Sequence, residues 1–127
     1  MAKVNKDTRK ILIIDDDSQI RNHLRLSLLN CGIESISNAS NAKEGVALFA
    51  KTKPDITFLD INLPDKDGIS VLAELLELDR AASIVMLSGD STINNVKKSI
   101  AIGAKGFIVK PFSVQKIIDA LAALPLS

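Results

Sequence analysis

The chain has 127 residues, of which 46% are hydrophobic and 24% charged, so its length and composition are those of one globular domain and exclude a disordered or fibrous protein. Its 16 Lys and Arg residues nearly balance its 15 Asp and Glu residues, and Trp and Tyr are absent. We therefore expect no direct contact with nucleic acid or membrane. The lone Cys31 excludes an internal disulfide, and no apolar run approaches the roughly 18 residues of a membrane span, so we expect a cytoplasmic protein.

Short apolar runs alternate with helical patterns five times along the chain. The predicted strands are residues 11–14, 33–37, 56–59, 84–87 and 107–109. The first predicted helix is residues 18–31, the second is a segment capped by Asn41 and Glu44, and the third is an apolar segment around residues 71–78. The fourth is residues 92–102, with Ile93, Val96 and Ile100 on one face. The last begins after Ser113 and stops at Pro125.

This alternation predicts an α/β fold, with a mostly parallel sheet and helices on both faces. We place the domain at residues 10–124, after a polar N-terminal extension (residues 1–9) and before a short C-terminal tail (residues 125–127). Ligands of such sheets bind beyond the carboxyl ends of the strands. The residues at those ends are therefore the candidates for a functional site.

Acid, hydroxyl and amine groups follow the predicted strands. They are Asp15, Asp16, Asp60, Ser88 and Lys110. Magnesium prefers hard oxygen ligands, and the three carboxylates with a backbone carbonyl near Asn62 could supply them. Three carboxylates, one lysine and one Mg²⁺ sum to a neutral site. A carboxylate in such a site can act as the nucleophile of phosphoryl transfer.

Four stretches resemble one known family. They are IIDDDS (13–18), FLDINLPDKDG (58–68), MLSGD (86–90) and GAKGFIVKPF (103–112). In order, spacing and strand position they resemble the receiver domains of two-component response regulators. The resemblance implies a flavodoxin-like five-stranded sheet of order 2-1-3-4-5.

The resemblance also implies a function and a role for each site residue. Asp60 would accept a phosphoryl group from a sensor histidine kinase or a histidine phosphotransfer protein, on Mg²⁺ held by Asp15, Asp16, Asp60 and the Asn62 main-chain carbonyl. Ser88 and Lys110 would contact the phosphoryl group, and the Lys110–Pro111 peptide bond would be cis. Asn62 and Asp90 would set the dephosphorylation rate, and Ser88 with Phe107 would form the switch. The surface of the fourth helix, fifth strand and fifth helix would then change its binding to a downstream protein.

Three positions depart from the common family pattern. Ser88 stands where threonine is commoner, Gly89 where alanine is frequent, and Phe107 where tyrosine is often found. Three other interpretations stay open on the sequence: a haloacid-dehalogenase-type phosphatase with Asp60 as nucleophile, a pseudo-receiver that only binds partners, and a flavodoxin. The phosphatase fits poorly because Asp60 follows the third strand, whereas the nucleophile of that class follows the first. The flavodoxin fits poorly because strand one ends in acids and not in a phosphate-binding loop.

Three other residues have structural interpretations. Asp17 is predicted to cap the first helix, and Cys31 to be a small buried hydrophobic residue. His23, the only histidine, borders the apolar stripe of that helix. We expect it at the surface or boundary of the domain and not as a phosphodonor.

Overall fold

The apolar runs form one parallel sheet in the computed structural model of the protein, which describes residues 7–89 and 93–124. The strands are β1 (Ile11–Ile14), β2 (Ile36–Ala39), β3 (Ile56–Asp60), β4 (Ser83–Ser88) and β5 (Gly106–Val109). Their order across the sheet is β2-β1-β3-β4-β5, and every neighbouring pair is parallel. The predicted flavodoxin-like order is confirmed.

Five helices connect and cover the strands. They are α1 (Ser18–Asn30), α2 (Ala42–Thr52), α3 (Gly68–Leu78), α4 (Ile93–Ile102) and α5 (Val114–Ala122). The predicted caps Asp17, Asn41 and Ser113 accept hydrogen bonds from the first turns of α1, α2 and α5. The predicted start of α4 at Thr92 and the stop at Pro125 lie outside the described residues. No described helix combines the length and apolar character needed to cross a bilayer.

Alternate side chains of each strand enter two hydrophobic cores, one on each face of the sheet. Ile11 and Ile13 of β1 pack with residues of α1 and α5, whereas Leu12 and Ile14 pack with residues of α2 and α3. Because both faces are covered, the central strands β1, β3 and β4 are buried along their whole length and are mostly apolar. The sheet is therefore buried, and its carboxyl edge is left for polar chemistry.

Strand β2 begins at Ile36, so the prediction of a strand at residues 33–37 is wrong in its bounds. Gly32 has a φ of 87°, and the Ile33 N–H donates to the Leu28 carbonyl at 3.0 Å, so Ile33 belongs to the C-terminal turn that ends α1. The strand begins only where Ile36 meets Ile11, the first residue of β1.

Helix α4 turns its predicted apolar face outward. Ile93 is 70% exposed and Ile100 is 49% exposed, and among the described residues of α4 only Ser99 is buried. Successive side chains are about 100° apart around a helix, so burying Ser99 turns Ile100 toward solvent. Val96 is half-buried beside them.

Asp7 and Arg9 contact the turn after α1 and helix α5. The Arg9 guanidinium is buried, lies 2.6 Å from an Asp7 carboxylate oxygen and donates to the Leu121 carbonyl. The hydrogen bond from Arg9 lowers the pKa of Asp7. The backbone of Asp7 also forms an isolated parallel β-bridge with that of Ile33. The domain boundary at residue 10 remains a prediction, but Asp7 and Arg9 contact the folded domain.

Candidate functional site

Three carboxylates meet at the carboxyl edge of β1 and β3. Asp15 and Asp16 follow β1 directly, and Asp60 is the last residue of β3, which lies beside β1. One carboxylate oxygen from each lies within 4.8 Å of the other two. Asp15 is 0% exposed and Asp60 4% exposed, whereas Asp16 is exposed. The sheet therefore brings the predicted acids together, two of them buried.

Lys110, after β5, reaches across the edge to two of these acids. Its Nζ lies 2.7 Å from Asp15 Oδ2 and 3.4 Å from Asp60 Oδ2. Burial alone would lower the pKa of Lys110, but the contacts with Asp15 and Asp60 outweigh it, so the pKa is raised and the amine stays charged. Burial, and then the neighbouring charge of Asp15, raise the pKa of Asp60 to about 6. The metal-free site therefore has an excess of negative charge that one lysine does not neutralise.

Backbone contacts hold the two buried acids in place. The Asp17 N–H donates to Asp15 Oδ1 at 2.9 Å, and the Asn62 N–H donates to Asp60 Oδ1 at 3.1 Å. The second contact turns the chain back after β3 and brings the Asn62 backbone beside the Asp60 carboxylate. Arg21 of α1 donates from Nη1 to the Asp15 carbonyl at 2.6 Å. Arg21 is not among the predicted site residues, and only its position one turn into α1 indicates that it could reach this edge.

The acidic cluster fits a small divalent cation. Octahedral Mg²⁺ ligands lie about 2.1 Å from the ion, which places ligand oxygens about 3 Å or about 4.2 Å apart. The 4.8 Å spread of the three carboxylates is close to that range. Asp15 Oδ2 is buried and, within the described part of the chain, has no hydrogen-bond partner besides its ion pair with Lys110. A buried oxygen with unused lone pairs is what a hard cation binds.

The remaining predicted site residues lie around this edge or outside the described residues. Ser88 ends β4 and is fully buried, and its carbonyl accepts from the Lys110 N–H at 2.8 Å. The Lys110–Pro111 peptide bond is cis. Phe107 in β5 is half-buried and packs on the core under α2 and α3. Asp90 lies outside the described residues.

Comparison with known proteins decides the family. A family model described as response regulator receiver domain matches residues 11–122, which is most of the chain. The chain belongs to the response regulator receiver domains. It is thus a signalling protein of the two-component type, in which phosphorylation controls activity, and receiver domains bind Mg²⁺ at an acidic pocket such as this one.

Individual relatives agree in sequence and in fold. The chain is 36% identical to the chemotaxis protein CheY of Listeria monocytogenes over 112 residues, which is 88% of this chain and 94% of the relative. A CheY-like receiver domain protein from Methanospirillum hungatei superposes with a TM-score of 0.85 at 28% identity over 91% of each chain. The CheX-CheY-BeF3-Mg complex from Borrelia burgdorferi matches with a TM-score of 0.87 at 31% identity, over 91% of this chain and 87% of that one.

Gly68 allows the start of α3 to pack closely on the backbone that follows Asp60 in this receiver domain. A Cβ at residue 68 would lie 2.2 Å from the Asp60 carbonyl oxygen and 2.6 Å from the Ile61 Cα. The Gly68 N–H donates to the Ile61 carbonyl at 2.7 Å. Only glycine permits this approach, so the start of α3 is held directly on the end of β3. No role for Gly68 is predicted from the sequence alone.

His23 links α1 to the segment after Lys110. Its ring stacks on Phe112 with centroids 5.0 Å apart, and its Nε2 lies 3.1 Å from the Phe112 carbonyl oxygen. The predicted boundary position is confirmed, since the residue is half-buried. Cys31, at the end of α1, is half-buried as well and packs against the core between the sheet, α1 and α5, so it is a hydrophobic residue as predicted but is only partly buried.

Apolar side chains are exposed along α4, β5 and α5 of the receiver domain. On α4 they are Ile93, Ile100 and Ile102, and on β5 and α5 they are Val109, Val114 and Ile118. Solvent-facing apolar groups on three adjacent elements are typical of a protein-binding surface.

Proposed function

We propose that this chain is a phosphorylation-operated switch in which Asp60 accepts a phosphoryl group from a phosphohistidine. The donor is a sensor histidine kinase or a histidine phosphotransfer protein. A carboxylate oxygen of Asp60 attacks phosphorus, the P–N bond breaks with its electron pair on the imidazole nitrogen, and an acyl phosphate forms. The observation that carries the proposal is the buried Asp60 carboxylate placed between Lys110 and two further acids at one edge of the sheet.

The surrounding residues have separate roles in this proposal. Asp15, Asp16, Asp60 and the Asn62 main-chain carbonyl would hold magnesium, which when bound offsets the negative charge of the phosphoryl oxygens. Lys110, charged because of its acidic neighbours, would shift from Asp15 and Asp60 to a phosphoryl oxygen. The Ser88 hydroxyl would donate a hydrogen bond to another phosphoryl oxygen. The side chains of Asn62 and Asp90 would set the rate at which water hydrolyses the acyl phosphate.

The output of the switch is a changed protein-binding surface. Drawing Ser88 toward the phosphoryl group would bias the packing of Phe107 and with it the surface of α4, β5 and α5. The exposed Ile93 and Ile100 support a protein partner for that surface. The Borrelia CheY structure is a complex with CheX, which supports the same kind of partner here. We propose a receiver at residues 10–124 that acts in the cytoplasm through a downstream protein, without direct contact with nucleic acid or membrane.

A small donor with a P–N bond tests the proposal. Parent protein incubated with phosphoramidate and Mg²⁺ is expected to gain about 80 Da in intact mass, the mass of one phosphoryl group. Asp60→Asn is expected to gain nothing, and chelation of Mg²⁺ is expected to prevent the gain in the parent. Equal phosphate uptake by Asp60→Asn would contradict the proposal. Sustained turnover of p-nitrophenyl phosphate would instead support the phosphatase alternative.

A further inference from the structure

The loop between β3 and α3 (residues 61–67, the β3–α3 loop) carries Asn62 and needs a fixed shape. At its ends it is held by the Asn62 N–H on Asp60 and by Gly68 on the backbone of Asp60 and Ile61. Its tip extends away from β3 toward the N-terminus of α2. What holds the tip therefore affects where the Asn62 backbone lies.

Asp65 at that tip binds the first turn of α2. Its Oδ1 accepts from the Ala42 N–H at 2.8 Å, and its Oδ2 accepts from the Lys43 N–H at 3.0 Å. The helix's own cap, Asn41, accepts from the Glu44 N–H. Three successive N–H groups of α2 thus have side-chain acceptors, and two of these come from a residue 22 or 23 positions away in the sequence.

Charge favours the same arrangement. A carboxylate at a helix N-terminus is stabilised by the partial positive charge there. The hydrogen bonds from Ala42 and Lys43 lower the pKa of Asp65, so the exposed carboxylate is ionised at neutral pH. Two further side-chain contacts involve this loop. Asp67 Oδ1 accepts from the Ile69 N–H at 3.1 Å and caps α3, and Lys66 forms an exposed ion pair with Glu74 of a kind that contributes little to stability.

We infer that Asp65 is a positioning residue of the phosphorylation site, which holds the β3–α3 loop on α2 so that the Asn62 backbone is ready to bind the metal. The inference rests on the proposed function, since it assigns Asn62 to the magnesium site. Asp65 acts through the loop and touches neither the metal nor the phosphoryl group. Its loss should weaken metal binding more than it slows the chemical step.

Two alanine variants separate this role from a general structural one. Asp65→Ala removes both hydrogen bonds to α2. Asp55→Ala is the matched control, because Asp55 Oδ2 also accepts a backbone N–H, that of Lys10 at 2.7 Å, but at the opposite end of the sheet. Asp65→Asn keeps one acceptor oxygen and serves as the milder variant if Asp65→Ala does not fold.

Three measurements are made on each protein: calorimetric Mg²⁺ titration, amide hydrogen exchange at Ala42 and Lys43 in chelator, and phosphorylation by acetyl phosphate over a range of Mg²⁺. For Asp65→Ala we expect faster exchange at both amides and Mg²⁺ binding weakened about tenfold, which is the low end of the range for residues that orient metal ligands. The Mg²⁺ needed for half-maximal phosphorylation should rise equally, with the maximal rate within about twofold of the parent. Asp55→Ala should match the parent in all three.

Two results would overturn the inference. One is unchanged Mg²⁺ binding in Asp65→Ala despite faster exchange at Ala42 and Lys43, since the loop would then be released without effect. The other is an equal loss of Mg²⁺ binding in Asp55→Ala, which would mean a general loss of stability. A parent that binds Mg²⁺ but takes up no phosphoryl group would contradict the proposed function and leave the Mg²⁺ comparison as the test of Asp65.

Discussion

The carboxyl edge of β1 and β3 buries charge, whereas α4 exposes apolar side chains. At the edge, Asp15 and Asp60 are buried in a frame fixed by Gly68 and by the well-packed helix α3. On α4, the buried side chain is the polar Ser99, while Ile93 and Ile100 face solvent. Each region carries an unfavourable feature. Under the proposed function, a cation and a phosphoryl group would relieve the one at the edge, and a protein partner would relieve the one on α4.

The largest contrast we expect is between the two neighbouring helices α3 and α4. Leu72→Ala in α3 removes a fully buried side chain and should lower the free energy of unfolding by about 2–5 kcal/mol. Ile100→Ala in α4 should change it by about 0.5 kcal/mol or less, because half of that side chain is already exposed. Urea denaturation of both variants measures the two values. Similar losses would mean that α4 is packed as firmly as α3.

Charge at the carboxyl edge should destabilise the metal-free protein above pH 6. The folded pKa of Asp60 is raised from 3.8 to about 6, so the folded state holds a proton that the unfolded state releases, and stability falls as pH rises between these values. A shift of one pKa unit corresponds to about 1.36 kcal/mol, so Asp60→Asn should be about 1–3 kcal/mol more stable than the parent at pH 7.5 in chelator. Below about pH 4 the two proteins should be about equally stable. Denaturation at both pH values tests this. A gain that persists at pH 3.5 would not come from this ionisation.

Magnesium should relieve the same repulsion. At tenfold excess over its Kd, Mg²⁺ should stabilise the parent by about 1.4 kcal/mol, which is a rise of about 3–5 °C in Tm. Asp16→Asn should melt above the parent in chelator and gain little from Mg²⁺, because it loses a repulsive charge together with a ligand. Sodium at matched ionic strength controls for screening. Equal responses to Mg²⁺ in both proteins would mean that the ion is not held by these acids.

The smallest effect we expect is at the buried serine of α4. Ser99 Oγ has no hydrogen-bond partner in the described part of the chain, so its burial is unfavourable. Ser99→Ala should leave stability unchanged or raise it by up to about 1 kcal/mol, as measured by urea denaturation. A loss above 1 kcal/mol would show that the hydroxyl is bound after all and that α4 is anchored through it.

The sequence predicted what depends on local pattern and missed what depends on contacts between distant segments. Apolar runs gave the strands, and the residues at their ends converge because the carboxyl ends of parallel strands share one edge. The bond from Asp65 to α2 spans 22 or 23 residues and has no local signal. The outward turn of Ile100 could not be predicted either, because hydrophobic periodicity gives a face but not the direction in which it points.

Coupling between the two regions is the central claim, and backbone amide NMR tests it most directly. Spectra of the parent are compared before and after addition of beryllofluoride with Mg²⁺, with Asp60→Asn as control. We expect shifts around Asp60 and, beyond them, along α4 and at Phe107, while the C-terminal half of α3 stays unchanged and Asp60→Asn shows none of the distant shifts. Shifts confined to the residues around Asp60 would contradict the claim that phosphorylation is transmitted to α4, β5 and α5.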